Sequence, residues 1–370
     1  MALMINIALL IVLAYFIWKK ANSINKKLHE SVLKKSFLLF IVGHFLIALF
    51  HWHWSLEHGK DALNFFQKAL ISDSWLSLFG IGSTFVSFLI YPLVKVGISY
   101  FTLFVLFSVI SFFGFVNYFK LLQPYVFSKQ HKIMCLLFLL PSLHFWSVSI
   151  SKDCLVFFLM SILLIEIKKR KYIVLPIVFV AIGLIRPHIV VMLLLAFVLI
   201  LFFEKKIDKK YIIIGILGLI IGSFFMLKFI KLSAFSVDAI YQKLTEYNNY
   251  GLKYGNSHID LLTTNYFERV FALLFRPLFI DAQTMFQYIV SIENIIVLVA
   301  IAIAIWKIRL KTLSLEAKYA MIVSVLLLLL ISTYIYNLGL ASRMRLMFLP
   351  YLFYSLCVGL NRKEVNEKAS

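Results

Sequence analysis

Apolar residues run along most of this chain, and the polar ones fall in short blocks between them. Apolar stretches cover 2–18, 36–54, 97–119, 133–150, 154–167, 172–185, 189–203, 211–230, 288–306, 319–336 and 346–360. A stretch that approaches or exceeds roughly 18 apolar residues can cross a bilayer. Backbone in lipid must satisfy its own hydrogen bonds, so each stretch is predicted to be helical. The pattern predicts an all-α polytopic membrane protein of about eleven transmembrane helices, one membrane domain over 1–370.

One segment breaks the pattern. "WLSLFGIGSTFVSFLIYPLVK" (75–95) is apolar enough to span, but a span there would move Lys120, Lys129 and Lys132 to the outer side. It is read as a partly inserted, interfacial segment broken by Gly80, Gly82 and Pro92, within a first outer loop over 55–96. The runs 154–167 and 172–185 are short: fourteen residues make about 21 Å of helix, against a hydrocarbon core of roughly 30 Å. Their outer ends, "SISKD" and "RPH", are expected to sit below the outer membrane surface around a cavity. The longest polar stretch, 231–287, forms a large outer loop.

Composition supports the membrane reading. The chain is 62% apolar, against about 45–50% in soluble domains. The net charge of +20 would suit nucleic acid, but its placement argues against that partner. Basic residues sit between apolar runs, as in "WKK", "KKRK" and "EKKIDKK", which is the pattern of cytoplasmic loops. With the N-terminus outside and the C-terminus inside, the inner side holds 24 of 37 Lys and Arg but 7 of 17 acids. Such loops set orientation and contact anionic lipid. Cys135, Cys154 and Cys357 lie in apolar context without metal-site spacing. The first run lacks a basic leader and a small-residue cleavage site, so it is expected to remain as a span.

The candidate chemistry lies in the outer clusters. "EHGKDALNFFQ" (57–67) follows directly on a span and carries Glu57, His58 and Asp61. It is either a solvated helix start or a carboxylate site for a general base or a divalent ion. In "PSLHFWSVSISKDCLVFF" (141–158), Ser151 can cap a helix with Asp153 in its first turn. Lys152 and Asp153 at the tip of a short hairpin are also functional candidates at membrane depth. Arg186 and His188 flank the Pro187 reversal in "GLIRPHIVV". Arg269 and Arg276, seven apart, would share a face of a short interfacial helix, and Arg343 and Arg345 precede the last run. These arginines either snorkel to headgroups or clamp a phosphate. Carboxylates beside converging arginines suit transfer from a phosphate-linked, membrane-anchored donor.

The order of these motifs resembles the GT-C superfamily of membrane glycosyltransferases. The resemblance rests on the acidic first outer loop, "FGIGSTFVSFLIYPLVKVGISYFTLFVLFSVISFF", "LLPSLHFWSVSISKDCLVFFLMSILL" and "RMRLMFLPYLFY". It covers most of the first 170 residues and the last 35. The chain is also similar to multi-span proteins encoded among bacterial capsule and exopolysaccharide genes. The resemblance implies a bacterial cytoplasmic-membrane enzyme that takes a polyprenyl-phosphate-linked sugar donor and a glycan acceptor at the outer face. By analogy Asp61 is the catalytic acid, Arg345 matches the arginine before the final proline, and Lys152 and Asp153 take the place of the second outer motif. Asp61 is followed by Ala62, where the family commonly has a second acid. A polysaccharide polymerase or ligase, for which "RPH" would fit, and a lipid-linked sugar flippase or transporter remain as alternatives. The cofactor is undefined, with a divalent cation as the open option.

Overall fold

The computed structural model describes residues 1–26, 31–58, 60–125, 137–203, 209–230, 236–254, 257–308, 310 and 313–360. Among these residues the regular structure is helical, apart from one isolated bridge between His258 and Asn337. In chain order the helices are α1 (Ala2–Asn25), α2 (Ser31–Glu57), α3 (Lys60–Ile71), α4 (Ser83–Lys95), α5 (Tyr100–Leu122), α6 (Pro141–Ser147), α7 (Lys152–Lys168) and α8 (Leu175–Ile185). There follow α9 (Pro187–Phe203), α10 (Lys209–Ile230), α11 (Val237–Tyr254), α12 (Tyr266–Phe275), α13 (Met285–Lys307), α14 (Leu315–Ser332), α15 (Leu338–Met344) and α16 (Leu349–Gly359).

Among the described residues, six helices are long and apolar enough to cross a membrane: α1, α2, α5, α10, α13 and α14. The pair α6 and α7 makes a seventh if counted as one broken span, for its two parts are bent by 108°. The shorter apolar helices are α4, α8, α9 and α16. The chain is thus a helical membrane protein. The span expected over 133–150 is not one helix. Within its described part, a 3₁₀ turn at Leu137–Leu139 precedes α6, and the chain then bends at 148–151.

The segment 75–95 also departs from expectation. Its break lies at Gly82, which has φ of 86° and stands before α4, whereas Pro92 lies inside α4 without ending it. A proline at this position leaves the carbonyl four residues back without its usual partner. That carbonyl belongs to Phe88, and the Trp75 indole Nε1 donates to it at 2.9 Å. The proline is therefore accommodated by a tryptophan from the preceding loop.

The chain divides into two compact units. The first comprises Met1–Asn117, Leu143–Ile162 and Leu184–Arg186. In it α3 buries Ala62, Phe65 and Ala69 on one face against Val86, Ile90 and Val94 of α4. Lys95, at the end of α4, donates to the carbonyl of Leu70, at the end of α3, at 2.9 Å. The linker doubles back along α4, stacking Trp75 on Phe88 at 5.0 Å. Hence α3 and α4 lie side by side and run in the same direction, with their first turns at a shared end.

The second unit comprises Tyr118–Ser142, Leu163–Gly183 and the chain from Pro187 onward. Here α10 lies along α9, with Gly215 against Val198 and Phe197 and with Gly218 and Gly222 against Leu194. Small residues permit that close approach, the usual means of packing helices without a hydrophobic drive. The polar stretch 231–287 contains two amphipathic helices, α11 and α12.

Candidate functional site

The first unit holds a compact group of charged side chains. Ser151 caps α7, its hydroxyl accepting from the Cys154 N–H at 3.2 Å. This puts Lys152 and Asp153 in the first turn, where the helix dipole favours an acid. Asp153 is fully buried and forms an ion pair with Arg186, whose side chain is 9% exposed. Lys152 Nζ donates to Ser83 Oγ, in the first turn of α4, at 2.9 Å. The Gly82 N–H donates to the Leu184 carbonyl at 2.8 Å, so the start of α4 is tied to the end of α8. Lys152, Asp153 and Arg186 are thus brought together.

Asp61 lies in the first turn of α3, at the end that α3 shares with the first turn of α4 and Ser83. Asp61 is exposed there. Glu57 and His58 are more than half exposed and 3.7 Å from one another at the end of α2. Glu57, His58 and Asp61 are thus exposed, the first two at the end of α2 and the third at the start of α3.

The arginines of the second unit are engaged with the protein's own groups. Arg345 is 3% exposed. Its Nε donates to the Leu273 carbonyl at 2.7 Å, and its other nitrogens to Asn294 Oδ1 and the Arg276 carbonyl. Leu273 lies in the last turn of α12, whose carbonyls have no partner within the helix. Arg345 is thus a clip on a helix end, buried and with each of its three nitrogens donating to one of the protein's own groups. Arg276 follows α12 in an extended conformation, so it does not share a helical face with Arg269. It pairs with Asp281, Nε to Oδ2 at 2.9 Å, and the guanidinium holds that carboxyl below its usual range. Arg269 donates to the Thr333 carbonyl at 3.3 Å and sits over the Tyr266 ring. His188, in the first turn of α9, packs edge-on to Tyr334 at 5.9 Å. Arg343 lies partly buried at the end of α15. Among the described residues no group of three or more His, Cys, Asp or Glu is placed to hold a metal ion.

Two buried features escape the sequence reading. In the first unit His44 and His144 meet through their Nδ1 atoms at 2.9 Å, and His44 Nε2 lies 2.9 Å from the Ser108 carbonyl. A carbonyl only accepts, so His44 carries its proton on Nε2 and His144 donates to its Nδ1. His51, seven residues along α2, donates from Nδ1 to the Phe145 carbonyl at 2.7 Å. Two histidines of α2 thus hold the short helix α6. In the second unit Glu293, buried in α13, accepts from the Ser142 N–H at 3.2 Å, capping the start of α6. Its neighbour Asn294 donates to the Pro277 carbonyl at 2.7 Å. The signal for the histidines was their seven-residue spacing in one apolar run. For Glu293 it was an acid interrupting another.

No family model, curated protein or solved structure matches the chain.

Proposed function

We propose that this protein is a membrane glycosyltransferase, GT-C-like, that takes a sugar from a polyprenyl-phosphate-linked donor at the outer face of the bacterial cytoplasmic membrane and passes it to a surface glycan. The observation that supports it is the cluster in the first unit: Lys152, Asp153 and Arg186 between three helix ends, with Asp61 at the shared end of α3 and α4. Lys152 is the cation that meets the donor phosphate. Arg186, neutralised and oriented by Asp153, fixes the floor of the site and presents its edge. The exposed carboxylate of Asp61 takes the proton from the acceptor hydroxyl as that oxygen bonds to the anomeric carbon, and the sugar–phosphate C–O bond breaks with its electron pair leaving on the polyprenyl phosphate. In the proposed topology the eleven spans are 2–18, 36–54, 97–119, 133–150 as a bent crossing, 154–167, 172–185, 189–203, 211–230, 288–306, 319–336 and 346–360. In it α4 lies in the partly inserted segment 75–95, the N-terminus is outside and the C-terminus inside.

The polymerase and ligase alternative would rely on His188 and the arginines of the second unit. Those arginines are engaged with backbone carbonyls and Asp281, so that reading has less support.

The test is sugar incorporation from a radiolabelled polyprenyl-phosphate donor into membrane glycan. Asp61→Asn keeps the shape and removes the base, and it is expected to lower the rate by about 10²-fold or more. Lys152→Gln should raise the donor KM. Unchanged rates in Asp61→Asn at matched protein level would remove Asp61 from the mechanism.

A further inference from the structure

A cluster of tyrosines in the second unit is not used by the scheme above. Tyr247 and Tyr250 of α11 meet Tyr336, which lies between α14 and α15. The Tyr247 and Tyr336 rings are nearly parallel (18°) with centroids 6.4 Å apart, and Tyr250 meets Tyr336 edge-on at 5.5 Å. Tyr334 adjoins Tyr247 at 6.3 Å.

The cluster is rigidly built. The Ile259 N–H donates to the Tyr336 carbonyl at 2.8 Å, and the Leu338 N–H to the Ser257 carbonyl at 3.0 Å. Buried Asn248 accepts from the Leu261 N–H at 2.9 Å and lies 3.0 Å from His258 Nε2. Gly251 lets Tyr336 close on α11: a Cβ there would stand 2.8 Å from the His258 ring and 3.0 Å from Tyr336. Tyr250 is 53% exposed and Tyr241 59%, and the intervening exposed positions are Gln242, Glu246 and Asn249.

We infer that Tyr247, Tyr250 and Tyr336 form a stacking platform for a pyranose ring of a glycan chain, which rests on the glycosyltransferase reading and adds to it a subsite for the acceptor. A pyranose offers an apolar CH face and a rim of hydroxyls. Tyrosine answers both, with an aromatic face and a polar tip. Gln242 and Asn249 are exposed on the same helix, and Lys243, paired with Glu246 at 2.5 Å, lies over the Tyr247 ring. Tyr250 is thus the most exposed ring of the three. Around the tyrosines α11 exposes Gln242, Glu246 and Asn249, together with the aliphatic Val237, Ile240 and Leu252 toward its two ends. Rings fixed before the ligand arrives lose little entropy on binding.

The experiment uses the full chain in lipid nanodiscs and saturation-transfer NMR with three neutral probes: maltohexaose, chitotetraose and mannotetraose. Saturation transfer to the ring CH protons of at least one probe is expected. Tyr250→Leu, which keeps apolar bulk, should weaken the signal at least about fivefold, and Tyr250→Phe should retain it. Absence of transfer for all three probes, or equal signals in wild type and Tyr250→Leu, overturns the platform. So does quenching of tyrosine fluorescence by brominated phospholipid that is lost in Tyr250→Leu, which would make these rings a lipid belt. Donor turnover is measured separately on the same variants. Sugar transfer without any effect of Tyr250→Leu on acceptor KM rejects the platform and leaves the enzyme standing. Probe binding in a protein that transfers no sugar keeps the platform and rejects the enzyme.

Discussion

A buried Asp153–Arg186 pair has a definite energetic signature. Removing one member leaves the other as an uncompensated charge, at a cost of about 3–5 kcal/mol, whereas removing both is far milder. Asp153→Ala and Arg186→Ala are each expected to unfold at markedly lower denaturant, with the double variant recovering part of the loss. Unfolding in detergent, followed by tryptophan fluorescence, gives the coupling directly. Additive effects would mean that the pair is not a unit. Asp281 provides a pH-dependent counterpart. Its carboxyl, held by the Arg276 hydrogen bond, lies below its ordinary value of 3.8. The unfolded chain therefore binds this proton first. Stability from the pair is complete above about pH 4 and is lost as the pH falls through the lower folded value. Hydrogen exchange at the Leu278 N–H, which donates to Asp281 Oδ2 at 2.9 Å, should reveal that loosening as faster opening in acid. Asp281→Asn should remove the pH dependence.

At the scale of elements, the long helices were legible because continuous apolar runs need no partner to be recognised. Their interruptions were less so, because each is decided by a contact distant in sequence. Pro92 reads as a break, yet Trp75 supplies the donor that its missing N–H leaves wanting. Arg269 and Arg276 read as one helical face, yet α12 ends between them and Arg345 draws the freed carbonyls to itself. Gly80 and Gly82 do mark a real interruption, and Gly82 is the residue that bears it. With φ of 86° and ψ of −123°, it occupies backbone space that a side chain enters only under strain. Gly82→Ala should cost about 1–3 kcal/mol. It should also slow transfer, because the Gly82–Leu184 hydrogen bond joins the start of α4, with Ser83, to the end of α8, with Arg186. Thermal unfolding and sugar incorporation on one preparation would test both. A loss of stability without any loss of rate would show that this joint supports the fold alone.

At the scale of the whole molecule, part of the candidate site was readable and part was not. Lys152, Asp153 and Arg186 stood out as ionisable residues with almost no loop to carry them, and they meet. Arg345 stood out as a basic residue placed outside, ahead of the last run, but charge in an apolar context also marks a buried clip, and only its partners separate the two cases. The histidine pair of His44 and His144 lies a hundred positions apart, joining two runs that look like ordinary spans. The orientation of the molecule rests on the distribution of lysines and arginines, which makes it the decisive property to measure. Single cysteines at Asn249, on α11, and at Lys171, in the turn between α7 and α8, lie on opposite sides in the proposed topology; both residues are exposed. In a chain with Cys135, Cys154 and Cys357 replaced by Ala, a membrane-impermeant maleimide added to intact cells should label Asn249→Cys. Lys171→Cys should react only after the membrane is opened. Basic loops hold to the cytoplasmic side because their translocation is costly, so the lysine-rich turn at 168–171 should resist even single-charge changes. The reverse labelling would put Asp61 and Lys152 on the cytoplasmic side. A donor presented at the outer face could not then reach them, and the proposed chemistry would have to use a cytoplasmic donor instead.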